Sequence, residues 1–313
     1  MADLVENVGM DVHLVAGGGV VRSLVLLLAT GLMAAAPRYG VFLSADQGRS
    51  WVRADGGLPE GARVNALGAV GGALLAGTDK GMYVSRDRGR HWVGVSGGRV
   101  MSLAVLGTAV YAGTAKEGVL VSRDEGRSWV RDFGYMGKTA VRSLAVLAGR
   151  VYAGTDAEGV LVWDGGWRVL GAGLPEKGQV FALAVSGGRV FAGLYAKGLF
   201  VWEGVWRKVG GVTPLALGAN GGVVVAGHNP GGIFWSGDGG VRWEMAAGLP
   251  LGRAAVWEMG SGEGKLFAGV EDGVFVSADS GRRWERVRMP VTGPGISFFV
   301  GREVVLVGVQ VGQ

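Results

Sequence analysis

The chain has 313 residues, of which 49% are hydrophobic, so it is long and apolar enough to bury a large core. It has no cysteine, which excludes a disulfide framework and a thiolate metal site. The net charge of +5 is compatible with an anionic partner, but no run of like charges and no basic tail indicates one.

Residues 20–36 look like a signal peptide, because a positive charge is followed by an apolar run and an Ala-x-Ala ending. The same segment also fits the repeat described below: residues 21–24 match residues 141–144, and residues 32–35 match residues 151–154. Cleavage at that ending would remove half of the first repeat unit. We therefore predict two buried strands here, with no membrane span and no export signal, which favours a cytoplasmic protein.

Seven tryptophans recur at intervals of 37 to 41 residues, at positions 51, 92, 129, 167, 206, 243 and 284. Five of them close the phrase Ser-x-Asp-x-Gly-x-x-Trp, whose aspartates are Asp46, Asp87, Asp124, Asp238 and Asp279 and whose tryptophans are Trp51, Trp92, Trp129, Trp243 and Trp284. A fixed period near forty residues means that one supersecondary unit is copied along the chain.

Each repeat contains four short apolar runs, labelled A to D, which are separated by turn residues. In the fourth repeat these runs span residues 141–146, 151–154, 159–163 and 167–170. Short runs of apolar and β-branched residues predict strands, and no stretch keeps a helical period. The sequence therefore predicts an all-β protein, a single domain over residues 1–313 built as a β-propeller of four-stranded antiparallel blades.

We predict eight blades, with seven as the alternative. Residues 296–300 and 304–307 form two runs that match strands A and B of a blade, and they follow the last tryptophan repeat. Residues 4–5 and 12–15 can supply strands C and D of that blade, which would close the ring without an unpaired edge. A seven-bladed ring would leave residues 295–308 without a place in the sheets.

The phrase Ser-x-Asp-x-Gly-x-x-Trp resembles the Asp-box, or bacterial neuraminidase repeat, of sialidases, some xyloglucan-cleaving glycosidases, sortilin-type receptors and the photosystem II assembly-factor family. In character the chain is most similar to the non-catalytic assembly-factor and sortilin-like propellers. The resemblance implies a propeller but no single activity, because it covers enzymes, receptors and assembly factors. In such a turn the aspartate accepts backbone N–H bonds, the glycine adopts a positive φ and the tryptophan packs between blades, which predicts a structural role.

The repeat also predicts a binding site at the mouth of the central channel, where the loops between strands B and C lie beside the start of strand A. One position near the start of strand A takes every chemical class, as Arg22, Asn65, Met101, Arg142, Phe181, Thr213, Trp257 or Ile296. Together with the loops, the candidate binding residues are Arg22, Arg38, Tyr39, Asn65, Arg142, Tyr195, His228, Trp257 and Glu258. The alternative is that these are solvated positions that vary freely.

Glu258 is the sharpest departure from the repeat. Its position is small in the other units, as Ser23, Ala66, Ser102, Ser143, Ala182, Pro214 or Ser297. A carboxylate there must be hydrated, paired or protonated. Two alternatives stay open: a local salt bridge with a neighbouring arginine, or contact with a ligand as a binding or acid group.

The turns at the opposite end of the ring carry a candidate basic rim, formed by Arg49, Arg86, Arg90, Arg123, Arg127 and Arg282. Such a rim suits an acidic protein surface, a lipid headgroup or RNA, and the alternative is local pairing and a role in solubility. No aromatic residues interleave with these arginines as expected for single-stranded nucleic acid, so the sequence disfavours that partner.

No catalytic set, metal site or cofactor motif is recognised. The sialidase pattern needs an Arg-Ile-Pro motif that is absent, the three histidines occupy unrelated positions, and no phosphate loop occurs. We therefore predict a monomeric, non-catalytic binding or assembly scaffold for a protein or glycan partner, with an Asp-box glycoside hydrolase, sialidase-like or xyloglucanase-like, as the alternative. Arginine outnumbers lysine 24 to 7, which is typical of a thermostable protein.

Overall fold

The computed structural model describes residues 38–132, 139–228, 231–249 and 255–311. The chain divides into two units, residues 1–36 and residues 37–313, and every described residue belongs to the second. The predictions that lie outside the described residues are Arg22, the signal-like segment 20–36 and the strands expected at residues 4–5 and 12–15.

The described residues form strands and turns. In chain order the first fourteen strands are β1 (Arg38–Ser44), β2 (Val52–Arg53), β3 (Val64–Val70), β4 (Ala73–Thr78), β5 (Gly81–Ser85), β6 (Val93–Ser96), β7 (Val100–Leu106), β8 (Ala109–Thr114), β9 (Val119–Ser122), β10 (Val130–Arg131), β11 (Val141–Leu147), β12 (Arg150–Thr155), β13 (Val160–Trp163) and β14 (Trp167–Val169). The remaining fourteen are β15 (Val180–Ser186), β16 (Arg189–Leu194), β17 (Gly198–Trp202), β18 (Trp206–Val209), β19 (Pro214–Asn220), β20 (Val223–His228), β21 (Gly232–Ser236), β22 (Glu244–Met245), β23 (Val256–Gly262), β24 (Lys265–Val270), β25 (Gly273–Ser277), β26 (Glu285–Arg286), β27 (Gly295–Val300) and β28 (Val305–Val311). No helix occurs among these described strands and turns, and so none could span a membrane there.

The strands form seven four-stranded antiparallel sheets, which are the blades of a β-propeller. Blades 1 to 6 follow the chain as β3–β6, β7–β10, β11–β14, β15–β18, β19–β22 and β23–β26. Blade 7 combines both ends of the described chain, in the order β27, β28, β1 and β2. The prediction of an all-β propeller with four-stranded blades is therefore confirmed.

The prediction of eight blades is wrong, because strand β28 pairs with β1 over its whole length. Seven residue pairs join the two strands, from Arg38 opposite Val311 to Ser44 opposite Val305. The hairpin of β1 and β2 therefore completes the C-terminal blade, whereas the sequence-based count had assigned it to a separate first unit. The strands of residues 295–308 have their place in this seventh blade.

The innermost strands form a closed circle around the channel. Each strand A contacts the next one, in the order β3, β7, β11, β15, β19, β23, β27 and back to β3. The outermost strands are short, and β2, β10, β22 and β26 have only two residues each. Short outer strands limit the backbone that is free to pair with another molecule.

A glycine in strand B lets successive blades approach closely. A Cβ atom on Gly77 would lie 2.4 Å from Cγ1 of Val100, the first residue of the next strand A. The corresponding distances are 2.6 Å from Gly154 to Val180 and 2.6 Å from Gly227 to Val256. A side chain at these positions would overlap the neighbouring blade, so the recurrence of glycine follows from packing.

The repeated tryptophans pack between blades. Trp284 of blade 6 is 1% exposed and lies in one apolar cluster with Val225 of blade 5 and Leu266 of its own blade. Trp92 of blade 1 packs against blade 7 and donates its indole N–H to Ala54 O at 2.8 Å. Each buried indole thus removes a large apolar area from water at the joint between two sheets.

Candidate functional site

Every strand A contains a β-bulge close to its start. In blade 1, Val64 pairs with Thr78 and Ala66 pairs with Gly77, so Asn65 is the extra residue. The residues at this bulge position in blades 1 to 7 are Asn65, Met101, Arg142, Phe181, Leu215, Trp257 and Ile296. Because a bulge redirects a side chain, the chemically variable position of the repeat coincides with a local change in strand geometry.

The sequence alignment of blade 5 is wrong by two residues at this position. Pro214 pairs with His228 and Ala216 pairs with Gly227, so Leu215 is the bulge residue, whereas the alignment had chosen Thr213. Five of the other strands A begin with a valine, which is replaced here by a proline that a bulge tolerates. Ala216 therefore occupies the position that holds a small residue in most other blades, whereas the sequence alignment had placed Pro214 there.

Four side chains from blades 3 and 4 form a continuous ladder at the channel mouth. The Arg142 guanidinium binds both carboxylate oxygens of Asp156, with 3.0 Å between Nη2 and Oδ2. It also lies 4.4 Å above the ring of Phe181. Phe181 in turn stacks on Tyr195 with 5.2 Å between ring centroids. In blades 3 and 4 the bulge residues therefore contact the B–C loops, and the binding role of the mouth stays a prediction.

The other candidate mouth residues are distributed around the ring. His228 Nε2 lies 2.8 Å from Thr213 Oγ1, and Asn65 donates from Nδ2 to Val100 O at 2.8 Å, which links blades 1 and 2. Trp257 is 49% exposed. Arg38 and Tyr39 were expected in a B–C loop. They belong instead to strand β1, where they pair with Val311 and Gln310.

The strands A enclose a central cavity of about 390 Å³. Most of the lining residues are apolar, including an inner set formed by Leu67, Leu103, Leu144, Leu183, Leu217, Met259 and Phe298, but polar atoms contribute most of the surface that faces the cavity. Among the described residues that line the cavity, the charged ones are Arg142 and Glu258. Its volume lies in the range of small-molecule and side-chain pockets.

Glu258 follows the bulge of β23 and pairs with Gly269. Its Oε1 accepts the backbone N–H of Met259 at 3.2 Å. The Glu258 side chain is partly exposed to the cavity and otherwise surrounded by protein. This burial raises its pKa to about 7, against the small opposing effect of the Met259 N–H. Within the described part of the chain Glu258 forms no ion pair.

The Ser-x-Asp-x-Gly-x-x-Trp turns share one hydrogen-bond pattern, which the turn of blade 6 illustrates and from which the blade 1 turn departs in one bond, because Trp92 donates to Ala54 O. Ser277 Oγ donates to Asp279 Oδ1 at 2.8 Å and accepts from Gly281 N at 2.8 Å. The backbone N–H of Arg283 donates to Asp279 Oδ1 at 2.9 Å, and Trp284 Nε1 donates to Gly281 O at 3.0 Å. With φ values of 62° at Ser280 and 89° at Gly281, the hairpin reverses through two left-handed residues.

These hydrogen bonds lower the pKa of the turn aspartates. The Ser50 hydroxyl, followed by its backbone N–H, holds the pKa of Asp46 well below its ordinary range. The backbone N–H of His91 lowers the pKa of Asp87 to about 2, and Ser128 acts on Asp124 as Ser50 acts on Asp46. The carboxylates are therefore ionised acceptors that hold the turn.

All six arginines of the candidate basic rim are exposed. Three of them contact their own or a neighbouring turn: Arg86 donates to Glu125 O at 3.2 Å, Arg127 donates to Asp124 O at 2.9 Å, and Arg282 donates to Asp279 O at 2.9 Å. The Arg282 guanidinium also lies 4.5 Å above the Trp235 ring. Local pairing thus accounts for part of the rim.

The linkers between blades contain contacts that the sequence-based interpretation missed. The phrase Gly-Leu-Pro recurs at residues 57–59, 173–175 and 248–250. A Cβ atom on Gly173 would lie 2.2 Å from Trp206 O, and the residue before it accepts the Trp206 N–H at 2.8 Å. The recurrence of this tripeptide was the signal that could have revealed the joint.

No protein-family model matches the sequence, and no curated protein matches it either. Solved structures do match it. The computationally designed Ika8 protein has a TM-score of 0.62 at 19% identity, covering 89% of this chain and 95% of that chain. The extracellular domain of BT4673 from B. thetaiotaomicron has a TM-score of 0.67 at 14% identity, covering 82% of this chain and 38% of that chain.

Two further matches concern YCF48. The protein from Cyanidioschyzon merolae has a TM-score of 0.58 at 14% identity, covering 80% of this chain and 96% of that chain. A structure of YCF48 bound to D1 peptide has a TM-score of 0.58 at 18% identity, covering 79% of this chain and 92% of that chain. At these identities the similarity shows a common fold and carries no function with it.

Proposed function

We propose that this chain is a non-catalytic scaffold that binds a protein partner at the mouth of its central channel. One observation carries the proposal: the ladder of Arg142, Phe181 and Tyr195 spans two blades at the mouth. Tyr195 is 54% exposed, and Trp257 is 49% exposed on another blade. Tyrosine, tryptophan and arginine are the side chains most enriched where proteins bind one another.

The ladder is held by contacts within the chain. Asp156 holds the guanidinium of Arg142, which in turn covers one side of Phe181. Because these contacts restrict the side chains in the free protein, a partner that binds them has less rotamer freedom to remove. This preorganisation favours a recognition surface over loops that vary without constraint.

A solved relative in fold adds support. The YCF48 structure bound to D1 peptide concerns a protein of the same fold with a peptide ligand. For this chain we infer from it only that a propeller of this size can hold a peptide. The contacts that would do so here are those of the mouth ladder.

The glycoside hydrolase alternative has weaker support. Hydrolysis by two carboxylates needs a second acid across the scissile bond from the first. Among the described residues that line the cavity, Glu258 is the single carboxylate. The turn aspartates cannot serve, because they lie in the C–D hairpins and their oxygens already accept the N–H groups of their own turns.

We assign the repeated Asp and Trp residues to the structure of the blades and the rim arginines to local pairing and solubility. The assignment rests on the contacts of Arg86, Arg127 and Arg282 with turn groups. These contacts are hydrogen bonds from exposed guanidinium groups to backbone carbonyl oxygens, and the exposed charges keep the surface soluble.

Panning a random-peptide display library on the immobilised protein tests the proposal. A mouth variant, Tyr195→Ala with Trp257→Ala, should bind the enriched peptides at least about tenfold more weakly, because interface aromatics often contribute more than 1.4 kcal/mol. A rim variant, Arg49→Glu with Arg90→Glu and Arg123→Glu, serves as the matched control and should bind them as wild type does.

Three outcomes would contradict the proposal. Peptides that depend on the rim and not on the mouth would move the binding surface to the other face of the ring. Failure to enrich any peptide would contradict the proposal of a protein partner. Mouth-dependent binding on a glycan array would then identify a sugar as the ligand. Hydrolysis of a glycoside, lost in Glu258→Gln, would establish the enzyme instead.

A further inference from the structure

The carboxylate of Glu258 is the feature of the channel that the fold does not require. The corresponding residues of the other six blades are small, namely Ala66, Ser102, Ser143, Ala182, Ala216 and Ser297. Each of these lies opposite the strand-B glycine of its own blade, and an alanine or serine is sufficient there. A buried acid at this position costs folding free energy unless a cation or several donors compensate it.

The described residues do not compensate the cost of burying the Glu258 carboxylate. The single hydrogen bond to the carboxylate comes from the Met259 N–H, and in the described residues Oε2 has no partner. Strands β19, β20, β24 and β27 pack against β23, and their titratable side chains, His228 of β20 and Lys265 of β24, do not line the cavity. The other charged group of that wall is Arg142 on β11, and Asp156 already neutralises it.

The channel next to Glu258 offers apolar contact to part of a long side chain. Along the A strands the bulge residues, among them Phe181, lie before the level of the acid, and the inner set with Met259 and Phe298 lies after it. Lysine and arginine bury their aliphatic stems against apolar surface while the charged head finds a polar partner. A cavity of about 390 Å³ has room for one such side chain.

The B–C loops at the mouth carry a net negative charge, which is opposite to the charge of a lysine or arginine side chain. The described B–C loops carry six carboxylates and three lysines, and together with Arg142, which neutralises Asp156, their charges sum to −2, whereas the whole chain has a net charge of +5. The carboxylates are Asp79, Glu117, Asp156, Glu158, Glu271 and Asp272, and the lysines are Lys80, Lys116 and Lys197. This local excess of acid attracts a cationic group to the entrance of the channel.

We infer that the channel receives a basic side chain, lysine or arginine, from the protein partner, with Glu258 as its counterion. The inference rests on the proposed function and adds the chemistry of the guest. The guest enters past the ladder of Arg142, Phe181 and Tyr195, where the aromatic rings can cover its aliphatic stem, and its charged head ends at the carboxylate, one residue before the level of the inner set on the A strands. A cation there supplies the partner that the fold withholds from Glu258.

Small probes test the inference without knowledge of the partner. The protein is titrated, with NMR detection, with N-acetyl-lysine methylamide, N-acetyl-arginine methylamide, the neutral N-acetyl-norleucine methylamide and n-butylammonium chloride. We expect the lysine or arginine probe to bind at least about tenfold more tightly than norleucine at pH 8, and Glu258→Gln to remove that preference. Glu285→Gln changes an exposed glutamate outside the channel and should leave it intact.

Wild-type protein alone gives a second test, independent of whether the variant folds. Because the cation binds the ionised carboxylate, its affinity should fall about tenfold for each pH unit below the pKa of Glu258, near 7. Equal binding of norleucine and lysine, or a pH-independent affinity between pH 5 and 8, would overturn the inference. Binding of n-butylammonium without either amino-acid probe would overturn the assignment to a side chain of a protein.

The inference and the proposed function fail in different experiments. Peptides that bind at the mouth but show no preference for lysine or arginine, and no dependence on Glu258, would leave the scaffold standing without this guest. Loss of peptide binding altogether would remove the scaffold, while the small probes would still report on the cation site.

Discussion

Gly308 on β28 pairs directly with Val41 on β1, across the two strands that join the ends of the described chain. Trp51 follows Val41 by ten residues. In blade 1, Gly77 pairs with Met82, and Trp92 again follows by ten residues. The closing blade therefore has the same register as a blade made from continuous chain, although its strands come from opposite ends of the sequence.

An engineered disulfide can verify this closure, since the natural chain has no cysteine. Tyr39 and Gln310 are opposite one another on β1 and β28, and both are partly exposed. In Tyr39→Cys with Gln310→Cys we expect an intramolecular bond to form on oxidation and to stabilise the ring by up to about 5 kcal/mol, because it constrains a very long loop. Mass spectrometry and thermal unfolding with and without reductant measure both effects.

Each single cysteine variant is the control for that experiment and should show no effect of reductant. An eight-bladed ring would separate the two positions by a whole blade. Failure of the pair to oxidise in folded protein would therefore contradict the seven-bladed closure.

The sequence predicted the blades but not their number, and the reason is physical. Turns such as that of Asp46 and packing glycines such as Gly77 are local requirements, so they recur visibly in every unit. The pairing of β28 with one particular hairpin is a long-range interaction. Several segments of the chain have the same apolar pattern, so the repeat does not determine which of them pairs with β28. A length of chain upstream with similar apolar runs was enough to suggest an additional blade.

The candidate site was predictable to a similar extent. Phe181 at the variable position of one strand A stacks on Tyr195 of a B–C loop, and the role of these residues in binding stays a prediction. The bulge that redirects this position depends on pairing across two strands, so the sequence alone misplaced it at Thr213. The pairing of Arg142 with Asp156 also needs the fold, because no sequence spacing fixes it.

Replacement of Gly77 by alanine should destabilise the joint between blades 1 and 2. The added Cβ would lie 2.4 Å from Val100 Cγ1, and such overpacking costs about 1–3 kcal/mol. Gly97→Ala is the matched control, since a Cβ atom there meets nothing within 4 Å. Urea unfolding of both variants and wild type measures the difference, and equal stability of the two variants would refute the packing role of Gly77.

The turn aspartates should make the protein sensitive to acid. Their pKa values are lowered in the folded state, that of Asp87 to about 2 from an ordinary 3.8, so the folded state binds fewer protons than the unfolded one. The stabilisation is present above pH 4 and is lost as the pH falls towards 2. The triple variant Asp46→Asn, Asp87→Asn and Asp124→Asn should therefore show a shallower decline of melting temperature over that interval.

Asp272→Asn, which alters an exposed aspartate outside these turns, should retain the decline seen in wild type. Thermal melts at half-unit pH steps compare the three proteins. A triple variant whose melting temperature declines as steeply as that of wild type would show that the turn carboxylates do not govern acid stability.

Glu258→Gln should stabilise the free protein at alkaline pH and have little effect at pH 4.5. Burial raises the pKa of Glu258 from an ordinary 4.5 to about 7, so between these values the folded state retains a proton that the unfolded state releases. The free energy of unfolding of the wild type therefore falls as the pH rises through this interval. The fall is about 2 kcal/mol, because the partial exposure of Glu258 weakens the effect of its burial. The amide does not titrate and avoids this loss. Urea unfolding at pH 4.5 and pH 8 gives the two differences, with Glu285→Gln as the control, and a difference that is the same at both pH values would show that the acid is solvated or already paired with a cation.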